Sequence, residues 1–413
     1  MLLSVGGAEL ELRLSSDGRH LAHSLPAALS PVPSAELRQR LAGTLAGLVE
    51  ELTGRTHRFA DVYVGHAGVS LTLLLLSRHD SSLCDERTCS LHLDRLEEKA
   101  FAPKVYTFLC GIGGFYALRA VFHPSDPSSV ETLTRLGETQ VLSLPREECE
   151  LLYGRAGFLY CLLFVRRGLQ LPQLFSDLVV ALIQQIVEEG MRKNEPMIWS
   201  WHGKKYLGAA HGVAGVLYVL LCCSSKELDS IGNLHLWIET TLDVILDRYS
   251  VTDANSRNIV STTDSRKNNL VHFCHGATGW IPLLLKMWAI SRKEKYLHMA
   301  LECGETVWKR GILVSKGPGI CHGIGGSICA LVDLFTATRQ SIWLERSKYF
   351  AMILVQLLDE LSPHADRPYS LMEGRAGALY SLGVVHALDA GRFPLGSGLS
   401  EDWQSCFPGL GLP

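Results

Sequence analysis

A short glycine motif, Gly-x-x-Gly, constrains the fold of this chain more than any other feature of its sequence. It occurs seven times along 413 residues, and successive copies lie 43 to 64 residues apart. A recurring unit of this length is typical of repeat architectures that are built from helix pairs. The first glycines of the seven copies are Gly65, Gly111, Gly154, Gly212, Gly276, Gly323 and Gly374.

Each motif leads into an apolar segment, such as Ala67 to Leu76 or Val213 to Leu221. A polar break and a more amphipathic segment follow, as in Tyr296 to Val307 and Trp343 to Leu358. This alternation predicts one buried inner helix and one outer helix with a solvent-facing side in every unit.

Glycine at the start of the inner helices allows close approach of neighbouring backbones and leaves amide groups exposed. We therefore expect the inner helices to converge on one axis. The sequence predicts an all-α fold, an α/α toroid of seven inner and seven outer helices. An open solenoid of the same units is the alternative, because the spacing does not show whether the last unit meets the first.

The chain divides into three parts by pattern. Residues 1–36 form an N-terminal lead-in, irregular or a hairpin, and residues 37–394 form the single toroid domain. Residues 395–413 form a C-terminal tail to which the sequence assigns no role. Within the domain, the polar stretch 251–269 is predicted to be an exposed loop because it has almost no apolar periodicity.

Composition excludes several classes of function. A formal net charge of -3 gives no general attraction to polyanions, so nucleic acid is not an expected partner. No apolar run approaches the roughly 18 residues of a transmembrane segment, and the N-terminus has no basic region followed by an apolar core. We expect a cytoplasmic protein whose twelve cysteines are reduced, most of them as core residues.

The residues that precede the first glycines should face a common funnel if the turns line one end of a toroid. These residues are Val64, Cys110, Tyr153, His211, His275, His322 and Glu373.

Two cysteines at equivalent repeat positions, each followed by histidine, predict a metal site. Thiolate and imidazole suit zinc, so Cys274, Cys321 and one of His275 or His322 would leave the fourth position of a tetrahedral ion open. An open position is typical of catalytic zinc. The alternative is a pair of buried thiols with histidines at helix N-termini.

The motifs together resemble the eukaryotic LanC-like (lanthionine synthetase C-like) family from about residue 60 to 380. The matching segments are Thr107-Phe108-Leu109-Cys110-Gly111, Leu152-Tyr153-Gly154-Arg155-Ala156-Gly157, Gly208-Ala209-Ala210-His211-Gly212, Cys274-His275-Gly276, Gly319-Ile320-Cys321-His322-Gly323 and Glu373-Gly374-Arg375-Ala376-Gly377. The resemblance implies an α/α toroid with one zinc per chain, held by Cys274, Cys321 and His322. It also implies an acid/base role for His211, and it matches Lys316 to a basic position that contacts glutathione. The alternative for Lys316 is a solvated loop charge.

The resemblance implies zinc-dependent addition of glutathione to dehydroalanine or dehydrobutyrine residues in proteins or peptides, with formation of a thioether. Phe273 stands where the family commonly has tryptophan, and Arg13 is the first basic residue, whereas a glutathione-binding relative has an arginine almost at its N-terminus. The altered N-terminus and the tail at residues 395–413 motivate the alternative of a non-catalytic, zinc-containing protein that binds glutathione or another protein. A third reading, an α/α-toroid glycosidase, needs paired inward carboxylates, for which Glu373 is the sequence candidate.

Overall fold

The computed structural model describes residues 2–5, 8–25, 31–55, 59–94, 96, 101–192, 196–253, 255–393 and 402–411. None of the helices in these ranges has the length and apolar character needed to cross a membrane. The helices are α1 (Ser34–Thr53), α2 (His66–His79), α3 (Glu86–Asp94), α4 (Ile112–Phe122), α5 (Ser128–Leu136), α6 (Arg155–Gly168), α7 (Ser176–Met191), α8 (Val213–Leu221), α9 (Ser225–Asp229), α10 (Leu234–Tyr249), α11 (Ala277–Ser291), α12 (Glu294–Arg310), α13 (Ile324–Thr338), α14 (Ser341–Leu361) and α15 (Arg375–Asp389). The strands are β1 (Leu2–Val5), β2 (Ala8–Leu14), β3 (Leu21–His23), β4 (Ser250–Asp253) and β5 (Ser256–Ile259).

The inner ring of the toroid is formed by the helices that start directly after a repeat glycine. In the described part of the chain these are α2, α4, α6, α8, α11, α13 and α15, and each has the first glycine of its motif as N-cap. The helices α1, α3, α5, α7, α10, α12 and α14 lie outside this ring. The predicted pairing of inner and outer helices is therefore confirmed.

Both glycines of the motif are required because other backbone atoms lie too close to leave room for a Cβ atom at either position. A Cβ atom on Gly154 would lie 2.3 Å from the backbone nitrogen of Glu150 in its own turn. A Cβ atom on Gly377, the second glycine of the last motif, would lie 2.8 Å from the Cα atom of Gly319 in the preceding unit. The first glycine thus permits the turn, and the second permits close packing of adjacent units.

The ring closes between the last unit and the first, since α15 packs against α2. A backbone hydrogen bond also joins the turns across this closure, from the Met372 amide to the Tyr63 carbonyl at 3.1 Å, and the Tyr63 amide donates in turn to the Leu109 carbonyl of the second unit at 2.8 Å. The fold is a closed toroid, and the open solenoid is excluded.

The outer helix α1 belongs to the last unit of the ring although it comes first in the chain. It packs against α14 and α15 and buries a stripe of leucines that repeats every three or four residues. These leucines are Leu37, Leu41, Leu45, Leu48 and Leu52.

The N-terminal lead-in forms a small antiparallel sheet of β1, β2 and β3. Its last strand continues onto the body of the toroid, where the Leu21 amide donates to the Ile312 carbonyl at 2.9 Å and the Val314 amide donates to the Arg19 carbonyl at 3.1 Å. The lead-in therefore reaches the loop that precedes α13.

The prediction of an exposed loop over 251–269 is wrong for its first half. Strands β4 and β5 pair there as an antiparallel hairpin, and Asn258 and Ile259 are buried. The Asn258 side chain accepts from the Ala277 amide at 2.7 Å, so a polar residue is buried to satisfy the start of α11.

The described part of the C-terminal tail packs inside the toroid, where it contacts the second halves of α11 and α13. Asp333 of α13 accepts hydrogen bonds from the Ser405 hydroxyl at 2.5 Å and from the Cys406 amide at 2.7 Å. Phe407 is fully buried and stacks on Phe273, with ring centroids 4.9 Å apart. The described part of the tail therefore belongs to the core.

Candidate metal centre and neighbouring histidine

Cys274, Cys321 and His322 meet at the turns that precede α11 and α13. Their ligand atoms all lie within 4.8 Å of one another. The Cys274 amide donates to the Cys321 carbonyl at 3.4 Å, which fixes the two turns side by side. The structure thus brings together the three residues that the family resemblance implied as metal ligands.

The geometry of this cluster fits a tetrahedral zinc ion. Bond lengths of about 2.3 Å to sulfur and about 2.0 Å to nitrogen place two such ligands roughly 3.5 Å apart. The Cys274 Sγ and His322 Nδ1 atoms are 3.9 Å apart, close to that separation. Two thiols and one imidazole also form a donor set that zinc prefers. Three protein donors would leave one coordination position for another ligand.

The two thiols of the cluster differ in their electrostatics. The hydrogen bond from Cys274, helped by nearby His322, holds the pKa of the Cys321 thiol well below its usual range although burial opposes this. The same hydrogen bond and burial raise the pKa of Cys274. The Tyr63 side chain also lowers the pKa of the Cys321 thiol. In the first unit, therefore, Tyr63 reaches the cluster, rather than its neighbour Val64, which the sequence pattern had placed in the funnel.

Two polar side chains next to the cluster have buried atoms without a partner among the described residues. His275 lies outside the group of ligand atoms, beside Tyr206 with ring centroids 5.4 Å apart, and its Nδ1 atom makes no hydrogen bond. Glu373 has an unpaired Oε2 atom, and burial raises the pKa of its carboxyl group. Both groups are available to a ligand that enters the funnel.

His211 is held by a buried carboxylate that the sequence analysis missed. Its Nδ1 atom lies 2.7 Å from Glu150 Oε2, and Glu150 is 1% exposed. The Glu150 oxygens also accept from the amides of Leu152 and Tyr153, so the carboxylate is an acceptor and Nδ1 carries the hydrogen. Nε2 is left as the atom that can take or release a proton.

A sequence signal for Glu150 did exist. It stands four residues before Gly154 and binds the amide three residues ahead of itself. Asp61 does the same before Gly65, where its Oδ1 atom accepts from the Val64 amide at 2.8 Å. Burial raises the pKa of Asp61 to about 6. A polar residue at this position therefore marks a turn that needs an internal acceptor.

Aromatic rings pack around His211. The Trp201 ring stacks on the imidazole, with centroids 3.8 Å apart and planes 5° apart. Tyr153 lies parallel to Trp201 at 5.8 Å, and Tyr206 stands between His211 and His275. The imidazole can rotate little in this setting.

Lys316 is exposed on the loop before α13, next to the N-terminal sheet. Gly317 follows it with φ +90°, a left-handed conformation that favours glycine, and a Cβ atom there would lie 2.5 Å from Ala365. The lysine charge acts on the imidazole of His322. Lys316 thus stands at the rim of the site and outside the ligand cluster.

The known proteins that match this chain agree with one another. The family model described as lanthionine synthetase C-like protein matches residues 59–394. A protein named glutathione S-transferase LANCL1, from Danio rerio, is 28% identical over 378 residues, covering 87% of this chain and 90% of the relative. LanC-like protein GCL1 from Arabidopsis thaliana is 32% identical over 366 residues, covering 82% of each chain. Among solved structures, nisin cyclase matches with a TM-score of 0.64 at 15% identity over 88% of this chain and 99% of its own, which shows a shared fold.

Proposed function

Because the chain belongs to the lanthionine synthetase C-like family, we propose that it is a zinc enzyme that adds the thiol of glutathione to dehydroalanine or dehydrobutyrine residues in proteins or peptides. The observation that supports this proposal most directly is the buried cluster of Cys274, Cys321 and His322, which lies at the same end of the toroid as His211. The name of the Danio rerio relative supports glutathione as the thiol.

Cys274, Cys321 and His322 would hold the zinc ion. Bound there, zinc supplies Lewis acidity that keeps a thiol deprotonated near neutral pH, and two cysteine ligands keep such a thiolate nucleophilic. Lys316, which is exposed at the rim, and His275 would contact the polar groups of glutathione.

The addition forms one C–S bond and one C–H bond, and it breaks the S–H bond of the thiol and the π bond of the dehydro residue. The sulfur attacks the β-carbon of the dehydro residue, and the electron pair of the double bond moves toward the α-carbon and its carbonyl group. A proton must then reach the α-carbon. His211 is suited to deliver it from Nε2, because Glu150 fixes the opposite ring nitrogen and balances the positive charge that the protonated imidazole carries.

A direct assay tests this proposal. The purified protein is incubated with glutathione and a dehydroalanine peptide, the adduct is measured by mass spectrometry, and zinc is measured by elemental analysis. We expect one zinc per chain and adduct formation that a chelator abolishes. Absence of a zinc-dependent adduct refutes the enzymatic function and favours a zinc-containing binding protein.

Substitution of His211 separates catalysis from binding. General acid catalysis contributes about 10²- to 10⁴-fold, so His211→Asn should lower the rate by that factor and keep its zinc. His298→Asn is the matched control, because the His298 side chain is 76% exposed on the outer helix α12. An unchanged rate in His211→Asn would contradict the assigned role.

A further inference from the structure

A cavity of about 550 Å³ is lined in part by Tyr153 and Trp201, the two aromatic rings that stack with His211. Its walls are mostly apolar and include Val105, Leu144, Pro145, Tyr153 and Trp201. Tyr153 is 40% exposed, a high value for an aromatic side chain that stacks with Trp201 and His211. An apolar hollow of this size is suited to a bulky side chain of a ligand.

A single ring, that of Trp201, separates the cavity from the proposed catalytic histidine. Trp201 forms its wall and also stacks on His211 at 3.8 Å. A polypeptide whose reacting residue lay at His211 would therefore place a neighbouring side chain against Trp201 and Tyr153, whose rings are parallel within 2°.

The backbone on both sides of this cavity is fixed in conformations that side chains rarely adopt. Trp201 and Lys204 exchange two backbone hydrogen bonds at 2.9 and 3.0 Å around a two-residue turn, in which His202 and Gly203 have φ values of 46° and 72°. This is a tight hairpin turn with two left-handed residues, a form that normally favours Asn-Gly. On the opposite wall Lys104 has φ 61°. The surrounding structure must hold such conformations in place, and they are common at functional sites.

Beyond Trp201 the cavity continues into an acidic trough of about 450 Å³. The carboxylates of Glu147, Glu148 and Glu189 line it, and Arg192 pairs with Glu189 at 3.3 Å. The other two carboxylates leave an excess of negative charge in the trough. A basic side chain complements this surface.

We propose that this cleft is the acceptor subsite of the enzyme, which selects peptides with a bulky apolar residue beside the reacting residue and a basic residue beyond it. The inference rests on the proposed function, since it places the reacting residue at His211. The apolar cavity would take the first side chain against Trp201 and Tyr153. The trough lined by Glu147 and Glu148 would take the second.

The test compares dehydroalanine peptides that carry Phe-Lys, Phe-Glu or Ala-Ala next to the reacting residue, on either side of it. We expect kcat/KM for one Phe-Lys peptide to exceed that for its Ala-Ala counterpart by about tenfold or more, with Phe-Glu in between. In Leu144→Ser the advantage of phenylalanine should shrink, and in Glu147→Gln the advantage of lysine over glutamate should shrink.

Matched controls are Leu236→Ser and Glu138→Gln, which make the same changes at exposed positions away from the cleft. Both should keep the wild-type order of peptides. The comparison of peptides on the wild-type protein needs no substitution, so the test stands even where a variant fails to fold.

Binding of unreactive peptides distinguishes this inference from the proposed reaction. Fluorescently labelled peptides with alanine in place of dehydroalanine are titrated with the protein, and their anisotropy is measured. Tighter binding of Phe-Lys than of Ala-Ala, without turnover of any dehydro peptide, would support the subsite and refute the reaction. Turnover of all peptides with equal kcat/KM and equal binding would refute the subsite and support the reaction.

Discussion

Substitution of Phe407 by alanine tests whether the C-terminal tail is part of the folded core. Phe407 has no solvent exposure and stacks on Phe273 with ring planes 21° apart. Truncation of a buried phenylalanine to alanine removes its transfer free energy and leaves a cavity, at a cost of about 3–5 kcal/mol. We expect Phe407→Ala to lower the free energy of unfolding by this amount.

The assay is unfolding in urea, followed by far-ultraviolet circular dichroism, with Leu236→Ala as control. Leu236 is 59% exposed on α10 and should change the free energy of unfolding by no more than about 0.5 kcal/mol. A loss below about 1 kcal/mol in Phe407→Ala would refute the packing of the tail inside the toroid, because no fully buried phenylalanine can be removed so cheaply.

The same variant tests whether the tail supports the proposed metal centre. Phe273 immediately precedes Cys274 in the chain, so the stacked ring of Phe407 supports the backbone that carries one proposed ligand. We expect Phe407→Ala to bind zinc more weakly than wild type in a competition titration with a chelator. Equal affinity at reduced stability would show that the tail stabilises the toroid without positioning the ligand.

Four further predictions concern single contacts. Glu150→Gln should lower the rate of thioether formation about 10- to 100-fold at unchanged zinc content, because a hydrogen bond to a charged group contributes about 1.5–3 kcal/mol; an unchanged rate would contradict the role of the carboxylate. Cys321→Ala should contain no zinc by elemental analysis, and zinc equal to wild type would argue against this ligand. Cys84 and Cys89 have sulfurs 3.7 Å apart, so mild oxidation with diamide should join them in a disulfide that peptide mapping detects; oxidation of other cysteines without this link would contradict the geometry. Burial raises the pKa of Asp333 from 3.8 to about 7, so the folded state holds that proton more tightly than the unfolded state does. The stabilisation that comes from this proton is therefore lost as pH rises from about 4 to 7. Asp333→Asn should flatten this part of the curve of unfolding free energy against pH, and an unaltered curve would refute the assignment.

The helix pairs of the toroid could be predicted from the sequence because each repeat glycine has two structural effects. A repeat glycine both starts an inner helix and admits the neighbouring backbone, as Gly154 and Gly377 show. Helix positions therefore follow from glycine positions: the predicted segment Val213 to Leu221 is the whole of α8. Closure could not be read in this way, since it depends on contacts between residues as distant as Tyr63 and Met372.

The parts that sequence reasoning missed depend on partners far along the chain. The tail has little periodicity of its own, and it is ordered by Asp333, a charged residue inside an apolar helix whose acceptor role only the fold reveals. Glu150 stands in a glutamate-rich stretch and looks like a solvated residue until His211 is placed against it. Trp201 lies in a turn with no helical pattern to indicate its orientation.

Closure of the ring has a direct consequence for the metal centre. Backbone hydrogen bonds run from the Cys274 amide to the Cys321 carbonyl, from the Cys321 amide to the Met372 carbonyl, and from the Met372 amide to the Tyr63 carbonyl. The Tyr63 side chain lowers the pKa of the Cys321 thiol, so the first unit of the chain acts on a proposed ligand of the sixth. An open array of the same repeats would keep Cys274 beside Cys321 and lose this effect. The closed toroid therefore holds the backbone of Cys321 from both neighbouring units, which would orient this proposed ligand toward a metal ion.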